Sequence, residues 1–231
     1  MRKRIAVLTG AGISAESGLK TFRDSGGLWE EYKVEDVASY DGWLRNPSLV
    51  IDFYNQRRKQ LEGAKPNAAH ISLARLEQKY DVDIITQNVD DLHERGGSAH
   101  ILHLHGELTK VRSSRYRELV YSIGYNTIKM GDLCERGAQL RPHIVWFGEE
   151  VPLIADAARL IERADIMLVI GTSLQVYPAA GLIHYAPKSC RVFFVDPGAD
   201  GSNYLSNLVV IKESAGKAVP LLVDQLLNEP D

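Results

Sequence analysis

Short apolar runs that stop at a Gly, Asn, Asp or neighbouring polar residue constrain this chain more than any other feature. They cover residues 5–8, 82–85, 101–104, 166–170, 192–195 and 209–211. They read as near-continuous Val, Ile and Leu rather than as alternating patterns, which is what strands covered on both faces of a parallel sheet require. Helical periodicity occupies 68–79, 155–162 and 218–227, and the alternation of the two patterns predicts an α/β fold built on a doubly wound parallel sheet. Two regions break the rhythm. Residues 33–66 are helical without a strand, and 109–140 are polar, Tyr-containing and irregular. These two insertions predict a smaller module over the sheet edge, leaving a large unit of 1–32, 67–108 and 141–231. A chain of 231 residues with 45% hydrophobic content can bury one sizeable core of this kind.

The net charge of −3 supplies no cationic field to draw in nucleic acid, and no local basic patch replaces it, so no nucleic-acid partner is expected. Cys134 and Cys190 stand far apart in no paired spacing, which argues against a disulfide framework and for a reducing compartment, the cytoplasm. The basic start Arg2-Lys3-Arg4 precedes an apolar run too short for a signal peptide. No apolar run approaches the ~20 residues that span a bilayer, so no membrane partner is expected.

The chemistry-bearing residues cluster where the strands end. The first run leads into Gly10-Ala11-Gly12-Ile13-Ser14-Ala15, a Gly-x-Gly-x-x-Gly/Ala pattern in strand–turn–helix context. Such glycines let the backbone approach a pyrophosphate at a helix N-terminus; a tight structural turn explains them as well. No acidic residue closes a second strand about 20 residues on, as a dehydrogenase would need. A Gly- and Ser-rich loop follows instead and can fold over a cofactor. The second run ends in Thr86-Gln87-Asn88-Val89-Asp90, whose amides and carboxylate suit ribose hydroxyls and a carboxamide, or else cap a turn. The third ends in His103-Leu104-His105-Gly106; the two imidazoles share a face, and His105 is nearer the ligand crevice, where it can serve as a base or as a hydrogen-bonded structural His. The fourth ends in Gly171-Thr172-Ser173, a second phosphate- or ribose-type turn. Residues 140–149 are apolar and extended at their centre, fit for pairing with a peptide or for a plain edge strand.

Taken in order, Gly10-Ala11-Gly12-Ile13-Ser14 with Ser17-Gly18 and Phe22-Arg23, Thr86 to Asp90 with Leu92-His93, His105-Gly106, Arg141-Pro142-His143 with Trp146-Phe147-Gly148-Glu149, and Gly171-Thr172-Ser173-Leu174 resemble the sirtuin family over nearly the whole chain. The resemblance implies a Rossmann-like large domain with a smaller helical and zinc-module domain, and an NAD-dependent protein-lysine deacylase. In that chemistry the acyl-lysine oxygen attacks the ribose carbon bearing nicotinamide, nicotinamide leaves, an alkylimidate forms, and the acyl group ends on ADP-ribose. His105 is implied as general base, with Asn88 beside it. The implied cofactor contacts are Gly10, Ala11, Gly12, Ile13, Ser14, Ser17, Gly18, Thr21, Phe22, Arg23 and Trp29 in the first loop. Gln87, Asn88, Val89 and Asp90 follow, then Gly171, Thr172 and Ser173, with Asp196 and Ala215 on the adenosine side. Val145, Trp146, Phe147, Gly148 and Glu149 are implied to flank an acylated peptide.

Two departures modify this picture. Where the family carries two Cys-x-x-Cys pairs, this chain has Ser113, Tyr116, Cys134 and Gly137, so no zinc is expected. Tyr54 and Arg57 repeat the Tyr-x-x-Arg of the sirtuin class acting on succinyl and malonyl groups. Three residues apart on a helix, phenol and guanidinium face one way, and an Arg fork matches a carboxylate; a solvated basic face continuing through Arg58 and Lys59 is the bland alternative. A non-catalytic sensor of NAD or ADP-ribose and a protein ADP-ribosyltransferase are the competing readings of the same cleft.

Overall fold

The computed structural model describes residues 2–19, 28–29, 32–199 and 207–230. Strand β1 (Arg4–Thr9) opens the chain and leads into a 3-10 helix, Ala11–Ser17. A two-residue ladder follows, β2 (Leu28–Trp29) against β3 (Tyr32–Lys33). Next come helices α1 (Val34–Val37), α2 (Tyr40–Arg45), α3 (Pro47–Gly63) and α4 (Ala68–Arg75). Then come β4 (Asp81–Thr86), α5 (Leu92–Gly96), β5 (Ile101–His103), β6 (Gly106–Ser113), β7 (Val120–Ser122) and β8 (Leu140–Ile144). Helix α6 (Ile154–Ile161), β9 (Ile166–Ile170), β10 (Arg191–Val195), β11 (Leu208–Ile211) and α7 (Ala215–Asn228) complete it.

Six parallel strands lie in the order β11-β10-β9-β1-β4-β5. The chain winds outward from β1 in one direction through β4 and β5, and from β9 in the other through β10 and β11. The order therefore reverses between β1 and β9, and open α/β sheets bind ligands at such a switch point, outside the carboxyl ends of the strands. The register places those ends together: Thr9 pairs with Thr86 and Ile170, and Ile170 with Val195.

Two-residue periodicity explains why β1 must be wholly apolar. Ile5 and Val7 face one layer with α4 and α7, whereas Ala6 and Leu8 face the other with α6. A third core joins α3 to β6, β8 and the stretch after it through Phe53, Tyr54, Leu108, Val111, Ile144 and Trp146. Helix α3 begins where Asn46 accepts from the Leu49 amide with Pro47 at the first turn, and α4 where Asn67 and His70 form a reciprocal capping box.

The helix after the glycine turn is of the 3-10 type, 7 residues long. One expectation needs correction. The region 109–140 contains ordered strand: β6 pairs antiparallel with β7 and β8, giving a three-stranded sheet. Its residues alternate between buried and half-exposed, so it carries none of the continuous apolar signal of the main sheet.

Candidate active site

The turns after β1 and β9 press backbone to backbone. A Cβ on Gly12 would lie 2.8 Å from the Gly171 Cα, and one on Gly171, whose φ is +63°, would lie 2.3 Å from the Ile13 nitrogen. Gly12 N–H donates to Gly171 C=O at 2.8 Å. The immediate reason for these glycines is thus contact between the two turns at the switch point. Asn67 fastens the first turn from outside, donating to the Ile13 carbonyl at 2.7 Å and to Ser17 Oγ at 3.1 Å. Gly18, with φ +86°, caps the short helix.

The turn after β4 is tied to both neighbours. Asn88 Nδ2 donates to Ser14 Oγ at 3.1 Å, and Ser14 donates onward to Asp90 Oδ2 at 3.0 Å. Gln87 Nε2 donates to Thr172 Oγ1 at 3.2 Å. Burial raises the Asp90 pKa, opposed by donors from the Leu92 amide and Ser14. Val89 C=O accepts from the Leu108 amide at 2.7 Å, so the turn is also stitched to β6. Below it, a buried chain runs from His93 Nε2 to Thr9 Oγ1 at 3.0 Å and from Thr9 to Thr86 Oγ1 at 2.8 Å.

His105 stands between β5 and β6, its Nδ1 3.0 Å from the Gln87 carbonyl oxygen. A carbonyl only accepts, so the ring's proton sits on Nδ1 and Nε2 keeps its lone pair. Burial lowers the His105 pKa, partly opposed by that hydrogen bond, and so favours the neutral, basic form. The His105 carbonyl accepts from the Val145 amide at 2.9 Å.

The stretch after β8 is pinned on several sides. Phe147 donates to the Ala38 carbonyl at 3.0 Å and its own carbonyl accepts from Tyr40, while its ring remains half exposed. Glu149 turns inward: Arg141 donates to both carboxylate oxygens, at 2.8 and 2.9 Å, and Arg112 adds a third contact at 2.9 Å. Gly148 takes φ +88° between them. Trp146 Nε1 donates to Tyr54 OH at 2.9 Å, and the Arg141 guanidinium lies 3.4 Å from the centroid of its ring. Tyr54 and Arg57 are both buried on the inner side of α3, 1% and 7% exposed, and the Arg57 charge acts on the Tyr54 phenol. Arg58 is fully buried, donating to Leu108 C=O and Asn55, and burial pulls its pKa down to about 10. Arg57 and Arg58 therefore face inward, and of the basic run only Lys59 is solvated.

On the far side, Asp196 directly follows β10, its Oδ1 accepting from the Gly198 amide at 2.8 Å. Ala215 begins α7, and the Ser214 amide before it donates to the Glu213 carboxylate at 2.8 Å. Ser173 is half buried in the turn after β9. Thr21, Phe22 and Arg23 lie outside the described residues, and Trp29 is described only as part of its strand pair.

Three turns and one imidazole thus lie along the carboxyl edge of a parallel sheet about its switch point. The Sir2 family profile matches residues 10–178. The chain belongs to the Sir2 family. An NAD-dependent protein deacylase of Bacteroides thetaiotaomicron is 53% identical over 99% of this chain and 100% of its own. One from Helicobacter pylori is 53% identical over 98% and 96%. A Sir2 homologue in complex with NAD matches with a TM-score of 0.87 at 36% identity, over 98% of this chain and 90% of that one.

The small module brings together a thiol, a hydroxyl and a stacked cation. Cys134 Sγ lies 3.4 Å from Ser113 Oγ, which also accepts from the Arg115 and Tyr116 amides. The Arg136 guanidinium covers the Tyr116 ring at 4.9 Å and pairs with Glu118 at 2.9 Å. One thiol and no histidine among Ser113, Tyr116, Cys134 and Gly137 do not fit a tetrahedral zinc.

The pairings between these elements gave no usable sequence signal. Arg141 and Glu149 entered through the family resemblance, but nothing in their spacing marks them as an ion pair, and Glu94, which meets His103, belongs to a different element. Asn67 could have been found, because a Pro-Asn pair before a helical run marks an N-cap.

Proposed function

We propose that this chain is an NAD-dependent protein-lysine deacylase in which His105 is the general base. The observation that carries the reading is the His105–Gln87 hydrogen bond, which leaves Nε2 as a bare base at the meeting point of three turns. The protein offers NAD a polar edge suited to it: close-packed turns for the phosphates, and Asp196 and Ala215 where the adenosine half would lie. NAD, when bound, supplies an electrophilic ribose carbon whose leaving group is nicotinamide. Asn88, oriented by Ser14, would hold the ribose; His105 would take a proton from a ribose hydroxyl; Gly171, Thr172 and Ser173 would hold the far ribose. An acylated lysine in a protein or peptide is the proposed partner, entering beside Val145 to Gly148.

Tyr54 and Arg57, buried together on one face of α3, support a pocket for an acyl chain ending in a carboxylate, as in succinyl or malonyl groups. The division into a large unit and a module of 33–66 and 109–140 is part of the same reading. So is a module that holds without zinc, through the Ser113–Cys134 and Tyr116–Arg136 contacts. Both cysteines are free, which suits a reducing compartment such as the cytoplasm. No helix among the described residues is long and apolar enough to cross a membrane.

The test is nicotinamide release from NAD in the presence of acetyl-, malonyl- and succinyl-lysine peptides. Release that depends on an acyl peptide, and deacylated product with it, supports the deacylase. Binding without turnover would instead favour a sensor, and ADP-ribose transferred to protein would favour a transferase.

A further inference from the structure

Two imidazoles, not one, reach the turn after β4. His103 and His105, two residues apart, present Nδ1 to successive carbonyls of that turn: His105 to Gln87 at 3.0 Å and His103 to Asn88 at 3.2 Å. On His103 the other nitrogen is also engaged, with Nε2 2.7 Å from Glu94 Oε1 on α5. Both partners of His103 are pure acceptors. A neutral ring has one N–H to give and can satisfy only one of them; an imidazolium has two.

The surroundings favour the charged ring. Burial alone would lower the His103 pKa, but the hydrogen bond and charge of Glu94, with Glu107 behind it on β6, reverse the balance and raise it. The groups facing the ring are Glu94 and His93 on α5, Glu107 on β6 and Asp90 in the turn itself. His93 is held neutral by burial, and Lys110 occupies Glu107 at 2.7 Å. Glu94, His103 and Glu107 also bring three ligand-type atoms within 4.8 Å of one another, but each already has a partner in the protein.

We infer that Glu94 and His103 form a positioning pair that clamps the Asn88 carbonyl, and through it aims the Asn88 side chain at Ser14 and the first turn. The inference rests on the assignment of His105 and Asn88 to the active site and adds a residue that touches neither NAD nor acyl-lysine. It makes activity depend on two imidazoles in opposite states. His105 must be neutral, so turnover falls on the acid side as it takes up a proton. His103 keeps both contacts only while charged; once it loses its proton, the one remaining N–H goes to the Glu94 carboxylate, the stronger acceptor, and the Asn88 contact is lost, so turnover falls on the alkaline side, above the ordinary imidazole range.

Two near-isosteres separate positioning from bulk support. In His103→Asn the side-chain amide N–H takes the place of the Nδ1–H and keeps the Asn88 contact without charge. In His103→Gln it takes the place of Nε2–H, keeps Glu94 and abandons Asn88. The experiment measures kcat and KM for NAD on an acyl-lysine peptide from acid to alkaline pH, nicotinamide–NAD exchange, and the thermal midpoint, for wild type, both variants, Glu94→Gln and His105→Ala. We expect His103→Asn to keep kcat within about threefold and to lose the alkaline limb, whereas His103→Gln loses about tenfold or more in kcat and in exchange at a similar thermal midpoint. Glu94→Gln should move the alkaline limb to lower pH. Equal activity of the two His103 variants, losses that merely follow thermal stability, or an unchanged alkaline limb in His103→Asn would overturn the proposal. Wild-type turnover in His105→Ala is a separate failure, that of the active-site assignment beneath it.

Discussion

His105 donates its Nδ1–H to the Gln87 carbonyl in a 3.0 Å hydrogen bond, so the nitrogen left to do chemistry is Nε2. Replacing His105 with Ala removes that base without touching the glycine turns. The expected outcome is loss of acyl-lysine removal by a factor of about 100 or more, with NAD affinity within a few-fold of wild type, measured by peptide turnover and calorimetric titration. Near-normal turnover would show that another group takes the proton.

Arg57 is buried beside Tyr54 on the inner side of α3. If it pairs with the distal carboxylate of a succinyl or malonyl group, Arg57→Met loses a charge-assisted contact of roughly 1.5–3 kcal/mol, about tenfold to hundredfold in kcat/KM on succinyl-lysine. Acetyl-lysine should change little or improve. Tyr54→Phe is a less clean probe than its chemistry suggests, because the phenol also accepts the Trp146 indole N–H at 2.9 Å. Its loss strands a buried donor, so a fall in thermal midpoint should accompany the weaker specificity effect. Equal losses on both acyl groups from Arg57→Met would mean that Arg57 supports the fold.

His70 and His93 pack ring to ring with centroids 4.9 Å apart in the core beneath the Asn88 turn. Burial lowers both pKa values, that of His70 from 6.5 to about 4. The unfolded chain therefore takes up protons first as the pH falls. Stability is full above pH 6.5 and is lost progressively towards pH 4, on the order of 3 kcal/mol for His70 alone. Urea midpoints at several pH values should show this slope, and His70→Gln should flatten it. A wild-type midpoint constant from pH 7.5 to about 5 would contradict the assignment.

Ser113 and Cys134 occupy the module where zinc thiolates would stand, and they hydrogen-bond to each other at 3.4 Å. Metal analysis is expected to find far less than one zinc per chain, and chelator to leave activity and thermal midpoint unchanged. Cys134→Ser, which preserves a donor to Ser113, should cost less than about 1 kcal/mol. One tightly held zinc per chain would mean that other donors complete a site.

The main sheet was legible in the residues themselves. A strand covered on both faces needs an apolar side chain at nearly every position, and the runs at 5–8, 82–85, 101–104, 166–170, 192–195 and 209–211 fall within or overlap β1, β4, β5, β9, β10 and β11. Parallel strands all point the same way, so residues closing those runs, His105 and Asn88 among them, were bound to gather at one edge. The strands β6 and β7 were not legible, because half-exposed positions carry a diluted pattern and their apolar partners come from α3, about fifty residues earlier in the chain.

What the tertiary structure alone decided is which polar groups meet and which of them leave water. Arg57, Arg58 and Lys59 form one undivided charge run in the sequence, yet Arg58 is wholly buried and donates to a carbonyl of β6. Gly12 and Gly171 read as two separate phosphate turns until their backbones are found in contact. Glu94 and His103 carry no mark of being a pair. Hydrophobic periodicity is a local property, set by the geometry of one strand or helix and written into consecutive residues. Hydrogen bonds between elements depend on where the packed cores place those elements, and only the folded chain brings Glu94 within 2.7 Å of His103.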